Sequence, residues 1–265
     1  MLKKYIHIYW QYFIQFWKTR LVYKTDFLLN SFSQMLNLAT SLAFLTLIFT
    51  QVESINGWTF NEMLFLAGVG GVAMNLHHVF MLNIINLGDD YVVTGKLDRF
   101  KLRPLNVLFQ VYADNIRDEN VPKLISNVAL IVYASNQIGL NLLQPEFLLY
   151  GLPAFISSVM AFGSVYLGVA TFGFWMGRSR PLTWIVFRLS DFRRYPFGIY
   201  STAIKAILVT LVPLAFASFF PATFFLGRDS WMPYQIASIF AGPIAFYLAY
   251  RFWKYGLHNY SSTGS

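Results

Sequence analysis

The sequence predicts an all-α integral membrane protein with six transmembrane helices, and three observations support this fold class. The 265 residues are 56% hydrophobic and only 12% charged, and the mean hydropathy is +0.49, values typical of membrane proteins. Six apolar segments are long enough to cross the hydrocarbon core of a bilayer, which is roughly 30 Å thick. All of the 20 Lys and Arg residues except Arg228 fall in termini or connections that this topology places on one side.

Residues 1–24 predict an amphipathic helix that lies in the membrane interface ahead of the first span. Their apolar part, residues 5–17, would reach only about 20 Å as a helix, which is too short to span. The polar residues recur at spacings of three and four, so they form one stripe on an otherwise aromatic and aliphatic surface. These residues are Lys4, His7, Gln11, Gln15 and Lys18. Such a helix places its apolar side against the lipid.

The six predicted spans belong to a single transmembrane domain over residues 1–265. They cover residues 27–50, 62–85, 124–143, 147–176, 202–219 and 232–252. The basic residues on one side place both termini in the cytoplasm and the chain in the inner (cytoplasmic) membrane. The connections 86–123 and 177–201 are then long and cytoplasmic, whereas the external ones are short. After the fifth span Pro221 interrupts the apolar sequence, and either a re-entrant element or a frayed helix end fits there.

The first span carries a polar face made of Asn30, Gln34, Asn37 and Ser41. Spacings of four, three and four put these hydrogen-bonding groups on one side of a helix. Polar groups are costly against hydrocarbon, so this side is expected to face protein or water. Hydrogen bonding to another helix is the simpler interpretation, and a wall of a substrate path is the second.

The sequence lacks the motifs that common enzyme classes require. It has no cysteine, which excludes disulfides and thiol chemistry. It contains no G-x-x-x-x-G-K-[ST] phosphate loop, so no ATPase site is expected in this chain, and it contains no H-E-x-x-H or G-x-S-x-G. His77 and His78 are adjacent and diverge by about 100° on a helix, so packing is expected there and not a metal site. Membrane topology explains the basic residues without nucleic acid.

A short charged stretch, TGKLDRFKLRPLN at residues 94–106, connects the second and third spans. Gly95 suits the end of one helical piece, and Pro104 fits the first position of the next. Leu97 and Phe100 are three apart and share a helix face. The charged residues around them are Asp98, Arg99, Lys101 and Arg103. The stretch is therefore either a knob that docks in a groove of a partner or a solvated positive-inside loop.

This stretch resembles the segment after the second span in permeases of type-two ATP-binding-cassette (ABC) exporters. More narrowly, the pattern G-x-L-D-R-(F/Y)-x-L-R-P-L-N resembles the six-span ABC-2 transporter family. The resemblance extends to the interfacial helix, the six spans and the sequence YPFGIY before the fifth span. It implies a cytoplasmic coupling helix between spans two and three that contacts an ATPase. The residues that match the pattern are Gly95, Leu97, Asp98, Arg99, Phe100, Leu102, Arg103 and Pro104.

The resemblance also implies a function, namely the membrane subunit of an exporter. The subunit would pair with a second copy or with a related permease, and two copies of a separate cytoplasmic ABC ATPase would drive it. ATP and Mg²⁺ would be bound by that ATPase, with no cofactor in this chain. The cargo would be an amphiphile, a drug-like molecule, a lipid or a glycan. A membrane scaffold without transport activity and a lipid-modifying membrane enzyme are the alternatives.

Overall fold

The computed structural model describes residues 2–20 and 24–261, which fold as helices with no β-strand among them. The helices are α1 Leu2–Arg20, α2 Lys24–Phe49, α3 Phe60–Met81, α4 Lys96–Lys101, α5 Val107–Ala113, α6 Val121–Ile138, α7 Pro145–Thr171, α8 Gly173–Met176, α9 Arg180–Ser190, α10 Thr202–Ala206, α11 Leu214–Ala217, α12 Phe219–Phe225 and α13 Met232–His258. Short 3₁₀-helices lie at Leu82–Asn86, Asp118–Asn120, Asp191–Arg194, Phe197–Ile199 and Asp229–Trp231. Short π-helical turns lie at Leu87–Val92 and Ile207–Leu211. The all-helical fold class is confirmed.

Four helical segments within the described residues are long and apolar enough to cross a membrane. They are Leu28–Phe49, Phe60–Val92, Pro145–Met176 and Met232–His258. The pair Thr202–Thr210 and Leu214–Phe225 makes a fifth if it is counted as one bent span. The multi-pass membrane protein is therefore confirmed, while the count of six stays a prediction. The predicted third span corresponds to α6, whose 18 residues reach about 27 Å.

The predicted fifth span is not one continuous helix. Its two halves are bent by 69° at Val212 and Pro213, a bend that the sequence did not predict, and the span over residues 202–219 stays a prediction. Proline has no N–H to continue the helix and disfavours helical dihedrals in the residue before it, and Val212 has φ −127° and ψ 85°. Pro221 causes no break, because it lies in the first turn of α12, where proline is tolerated.

Residues 177–201 run from one end of the helical bundle to the other. At one end Gly177 lies against Gly88, where a Cβ on Gly88 would overlap the Gly177 carbonyl oxygen. At the opposite end Gly198 lies against Asn56, in the connection that precedes α3. Gly88 lies near the end of the helical stretch Phe60–Val92, and Asn56 lies just before its start. The expectation that this whole segment is a cytoplasmic connection is therefore wrong.

The middle of this segment lies at the middle of α3. The side chain of Arg193 packs beside Gly70, whose missing Cβ leaves the space it occupies. Arg194 donates a hydrogen bond of 3.1 Å to the hydroxyl of Ser41 on α2. Positive-inside counting assigned both arginines to the cytoplasm because it uses position between apolar runs only, and this segment is too polar to be recognised as one.

Close backbone packing holds the long helices together. The backbones of α3 and α6 meet at Gly71, where Asn127 fills the space of a Cβ. Similarly α7 and α13 meet at Ser157 and Gly242, and the Gly242 N–H donates to the Ser157 hydroxyl over 2.9 Å. Helices surrounded by lipid gain little from burying apolar surface against one another, so small residues and interhelical hydrogen bonds supply the association.

A cysteine at position 201 tests the path of residues 177–201. Ser201 is exposed, and the natural chain has no cysteine, so Ser201→Cys provides a unique thiol. We expect a membrane-impermeant maleimide to label it from the same side as Leu143→Cys and from the side opposite to Leu102→Cys. Labelling from the Leu102→Cys side would contradict the end-to-end path.

Candidate functional site

The charged stretch forms two short helices separated by a turn. Gly95 has φ 68°, a left-handed conformation that glycine adopts without strain, and its N–H closes the preceding helix on Val92. The helix α4 follows directly. The second helix, α5, is capped by Asn106, whose side-chain oxygen accepts from the Phe109 N–H. Pro104 therefore lies in the turn, and its predicted place as the first residue of the second helix is wrong.

Leu97 and Phe100 face the interior of the helical bundle and not the solvent. Leu97 is 0% exposed and Phe100 is 3% exposed, and the Phe100 ring lies 5.6 Å from that of Tyr91. The expectation that these two residues form an exposed knob is wrong, because three-residue spacing shows that two side chains share a face but not which way that face points. They anchor α4 to the end of the second predicted span.

The exposed part of the stretch is a basic tip at its turn. Leu102 is 86% exposed although its side chain is large and apolar. The tip consists of Arg99, Lys101, Leu102, Arg103 and Pro104, while Asp98 is half-buried beside it. A large apolar side chain ringed by positive charge is typical of a contact surface for another protein.

A hydrogen-bonded network fixes α4 to the elements behind it. The Tyr91 hydroxyl donates to the Asp114 carboxylate over 2.6 Å, and Lys96 pairs with the same carboxylate. Asn83 donates to the Tyr91 hydroxyl over 2.7 Å. Gln110 donates to the backbone carbonyl of Phe100 over 2.9 Å. These bonds join α4 to residues 82–92, which continue α3.

The tip also contacts both ends of the chain. Arg103 donates to the Tyr12 hydroxyl of α1 over 3.1 Å, and the side chain of Asn106 donates to the Tyr250 hydroxyl of α13 over 3.0 Å. The Lys101 ammonium lies 5.2 Å above the ring of Tyr260. Sequence reasoning missed these tyrosines, because their only signal was the presence of aromatic residues near both termini.

An ion pair joins this end of the bundle to α9. Arg180 donates through its backbone N–H to Asp89 over 3.2 Å and approaches Asp90 at 3.5 Å. Its guanidinium also donates to Asn86 over 3.0 Å. The two aspartates thus hold the start of the end-to-end segment, a role that the sequence did not indicate.

The polar face of α2 is largely open within one chain. Asn30 and Asn37 are exposed, whereas Gln34 and Ser41 are half-buried. Asn37 bonds to the Ser33 carbonyl of its own helix over 2.9 Å. Within the described residues, Ser41 is the one of these four that bonds to another segment of the chain, and its partner is Arg194. Only 6% of the residues in the apolar part of α2 are buried within this chain. Its polar face is therefore available to a partner chain or to a substrate path.

His77 and His78 are both buried and pack on one tyrosine. The His77 ring stacks on Tyr166 at 5.0 Å, and His78 Nε2 lies 3.2 Å from the Tyr166 hydroxyl. Among the described residues no three His, Asp or Glu side chains are grouped so as to hold a metal ion. The contacts of both histidines with Tyr166 pack α3 against α7.

Comparison with known proteins decides the family. A model of the family described as ABC-2 family transporter protein matches residues 35–264, which is most of the chain. The chain belongs to this family. It is thus a membrane permease of an ABC transporter, a kind of subunit that generally has no ATPase site of its own and works with an ATPase partner. No curated protein and no solved structure matches the permease.

Truncating an anchor residue tests its assigned role. We expect Leu97→Ala to lower the free energy of unfolding by about 2–5 kcal/mol, because it leaves a cavity in a packed interior. Leu102→Ala is the matched control, and its effect is expected within about 0.5 kcal/mol because the side chain is exposed. Denaturation of the two variants in mild detergent measures both. Equal destabilisation would contradict the burial of Leu97.

Proposed function

We propose that this permease is the membrane subunit of an exporter for an amphiphilic, drug-like, lipid or glycan substrate, driven by a separate ATPase that docks on the basic tip. The observation that carries the proposal is Leu102, an 86% exposed leucine on a helix whose inner face is anchored in the bundle. ATP and Mg²⁺ belong to two copies of the partner ATPase.

The contacts behind the tip give a route for its motion. The ATPase pair closes when it binds ATP, and this closure displaces the tip. Leu97 and Phe100 anchor α4 to the bundle, so the displacement reaches residues 82–92 and then α3. The bond from Asn106 to Tyr250 carries it to α13 as well. A displacement at this one contact surface therefore shifts both α3 and α13. A change of access from one side of the membrane to the other requires such a coordinated shift.

The topology that we propose has six passes, with both termini in the cytoplasm. Residues 180–200 form the fifth pass, and residues 202–225 form a bent re-entrant element before α13. This assignment returns the chain to the side of the tip at α13, whose Tyr250 contacts Asn106. The interfacial role of α1 fits its contact with α5, where the Tyr5 and Phe109 rings lie 4.8 Å apart.

A second permease copy, or a related permease, completes the transporter. Only 6% of the residues in the apolar part of α2, and 17% of those in the apolar part of α13, are buried within one chain. The open polar face of α2 is costly against lipid, and a second copy would cover it or enclose a path beside it. Asn30, Gln34, Asn37 and Ser41 then form one wall of that path.

A scaffold or a lipid-modifying enzyme is the competing function. An enzyme would turn over substrate as the purified chain alone and without ATP. A scaffold would show neither turnover nor an ATP-dependent partner. Transport that requires a co-purified ATPase separates the exporter from both.

Substitution of the tip tests the coupling contact. We expect Leu102→Asp to reduce ATPase co-purification in mild detergent, and to reduce substrate-stimulated ATP turnover, by about tenfold. The reason is that an aspartate in a desolvated apolar contact leaves a buried, unpaired charge. The measurements are pull-down of the tagged permease and ATP hydrolysis by the recovered complex.

Leu143→Asp is the control, because Leu143 is 78% exposed at the opposite end of the bundle. It carries the same chemical change and is expected to leave ATPase association intact. If Leu102→Asp retained full association and coupling, the tip would not be the docking surface.

A further inference from the structure

Three basic side chains meet inside the bundle at a place that the coupling machinery does not use. Arg193 and Arg194 lie on the turn after α9. Lys123 lies on α6 one turn before Asn127, which packs on Gly71, the residue next to the Gly70 that Arg193 contacts. We refer to Lys123, Arg193 and Arg194 as the basic cluster. It faces α2 through the bond from Arg194 to Ser41.

The two arginines of the basic cluster contact α2 and α3 well inside those helices. Ser41 is eight residues before the end of α2, or about 12 Å along the axis. Arg193 packs beside Gly70, ten residues after the start of α3, or about 15 Å. Charged residues at such depth are expensive and mark binding sites or pathways in membrane proteins.

Negative charge in the surroundings does not balance the basic cluster. The Asp191 carboxylate lies 3.1 Å from Arg194 and 3.9 Å from Arg193. No other ion pair of Arg193 or Arg194 occurs among the described residues. Two guanidinium groups therefore share one carboxylate in this part of the described structure.

Arg193 has unused hydrogen-bonding capacity although it is buried. Its side chain is 4% exposed, and one guanidinium nitrogen donates to the Ser190 carbonyl over 2.8 Å. Its Nε has no hydrogen-bond partner among the described residues. A buried charged donor without a partner calls for a ligand or an ion to satisfy it.

The open side of the basic cluster is the side of Arg194. The cavity on the aromatic side of Arg193 has room for about 10 Å³, enough for a single water. Arg194 and Asp191, in contrast, have side chains that are 37% and 51% exposed. On α2 the exposed residues around Ser41 include Leu36 and Phe44, at 58% and 57%, so an anion that arrives here at this depth meets apolar surroundings.

We propose that the basic cluster binds the anionic head, a phosphate or carboxylate, of a single-chain or double-chain amphiphile whose apolar part lies along α2. This deepens the proposed function by selecting anionic amphiphiles from the substrate classes, and it rests on that function. Ser41 adds a hydroxyl to the site, so one of the four polar residues of α2 takes part in binding the anionic head.

Binding is measured on the permease alone, in nanodiscs of uncharged phosphatidylcholine. The probes share one apolar chain and differ in the head: dodecyl phosphate, dodecylphosphocholine and dodecyltrimethylammonium, with inorganic phosphate as the probe that has no chain. We expect saturable binding of dodecyl phosphate at least tenfold tighter than that of the other three. Similar affinity for all heads, or inorganic phosphate that binds as tightly, would overturn the proposal.

Two charge-removing variants and one control locate the site. Arg194→Gln and Lys123→Gln are each expected to weaken dodecyl phosphate binding by about tenfold, the loss of one charge-assisted contact. Arg188→Gln removes the same charge from an exposed position of the same segment and is expected to bind normally. Unchanged binding in both cluster variants would overturn the proposal, as would their conversion of dimers into monomers, which would show that a second copy supplies the counter-charge.

The result is separable from the coupling hypothesis, because no ATPase is present in the binding assay. If the wild-type permease did not associate with an ATPase, the proposed function would be overturned, and the binding data would still stand. Elution volume and thermal unfolding of each variant confirm that it is folded before binding is compared.

Discussion

The glycine-lined surface of α3 and of its continuation to residue 92 is the constraint on which the rest of the structure depends. Gly71 admits Asn127 of α6, Gly70 admits Arg193, and Gly88 admits the backbone of Gly177. In each case a Cβ would occupy space that a neighbour already fills. In lipid the hydrophobic effect does not drive helices together, so their association depends on dispersion contacts, which need close approach. These small residues therefore decide which elements surround α3.

The charged stretch at residues 94–106 takes its position from this central stretch. The turn at Gly95 follows residues 82–92, and Leu97 and Phe100 on the inner side of α4 hold that helix against the bundle. The Tyr91, Asp114 and Lys96 network adds charge-assisted bonds at the same junction. A partner that pushes on the tip therefore acts on α3 through packed side chains, and packed interiors transmit displacement because they have little free volume.

The path of residues 177–201 brings the basic cluster to the middle of the bundle. Arg180 fixes the start of this path on Asp89 and Asp90, and Gly198 fixes its end beside Asn56. Between these points the chain carries Arg193 and Arg194 past α3 and α2. The segment escapes hydropathy analysis because it carries too many polar and charged residues to be recognised as an apolar run.

The sequence by itself determined the helical membrane class, three of the four ends of α2 and α13 to within three residues, and the helical break at Gly95. These follow from local rules, since apolar run length and glycine or proline conformation need no knowledge of neighbours. It did not determine that Leu97 and Phe100 point inward, that Leu102 is the exposed residue, or that residues 177–201 cross the bundle. Those features were decided by tertiary structure, because burial depends on which surfaces meet, and a spacing of three residues fixes a shared face without fixing its direction.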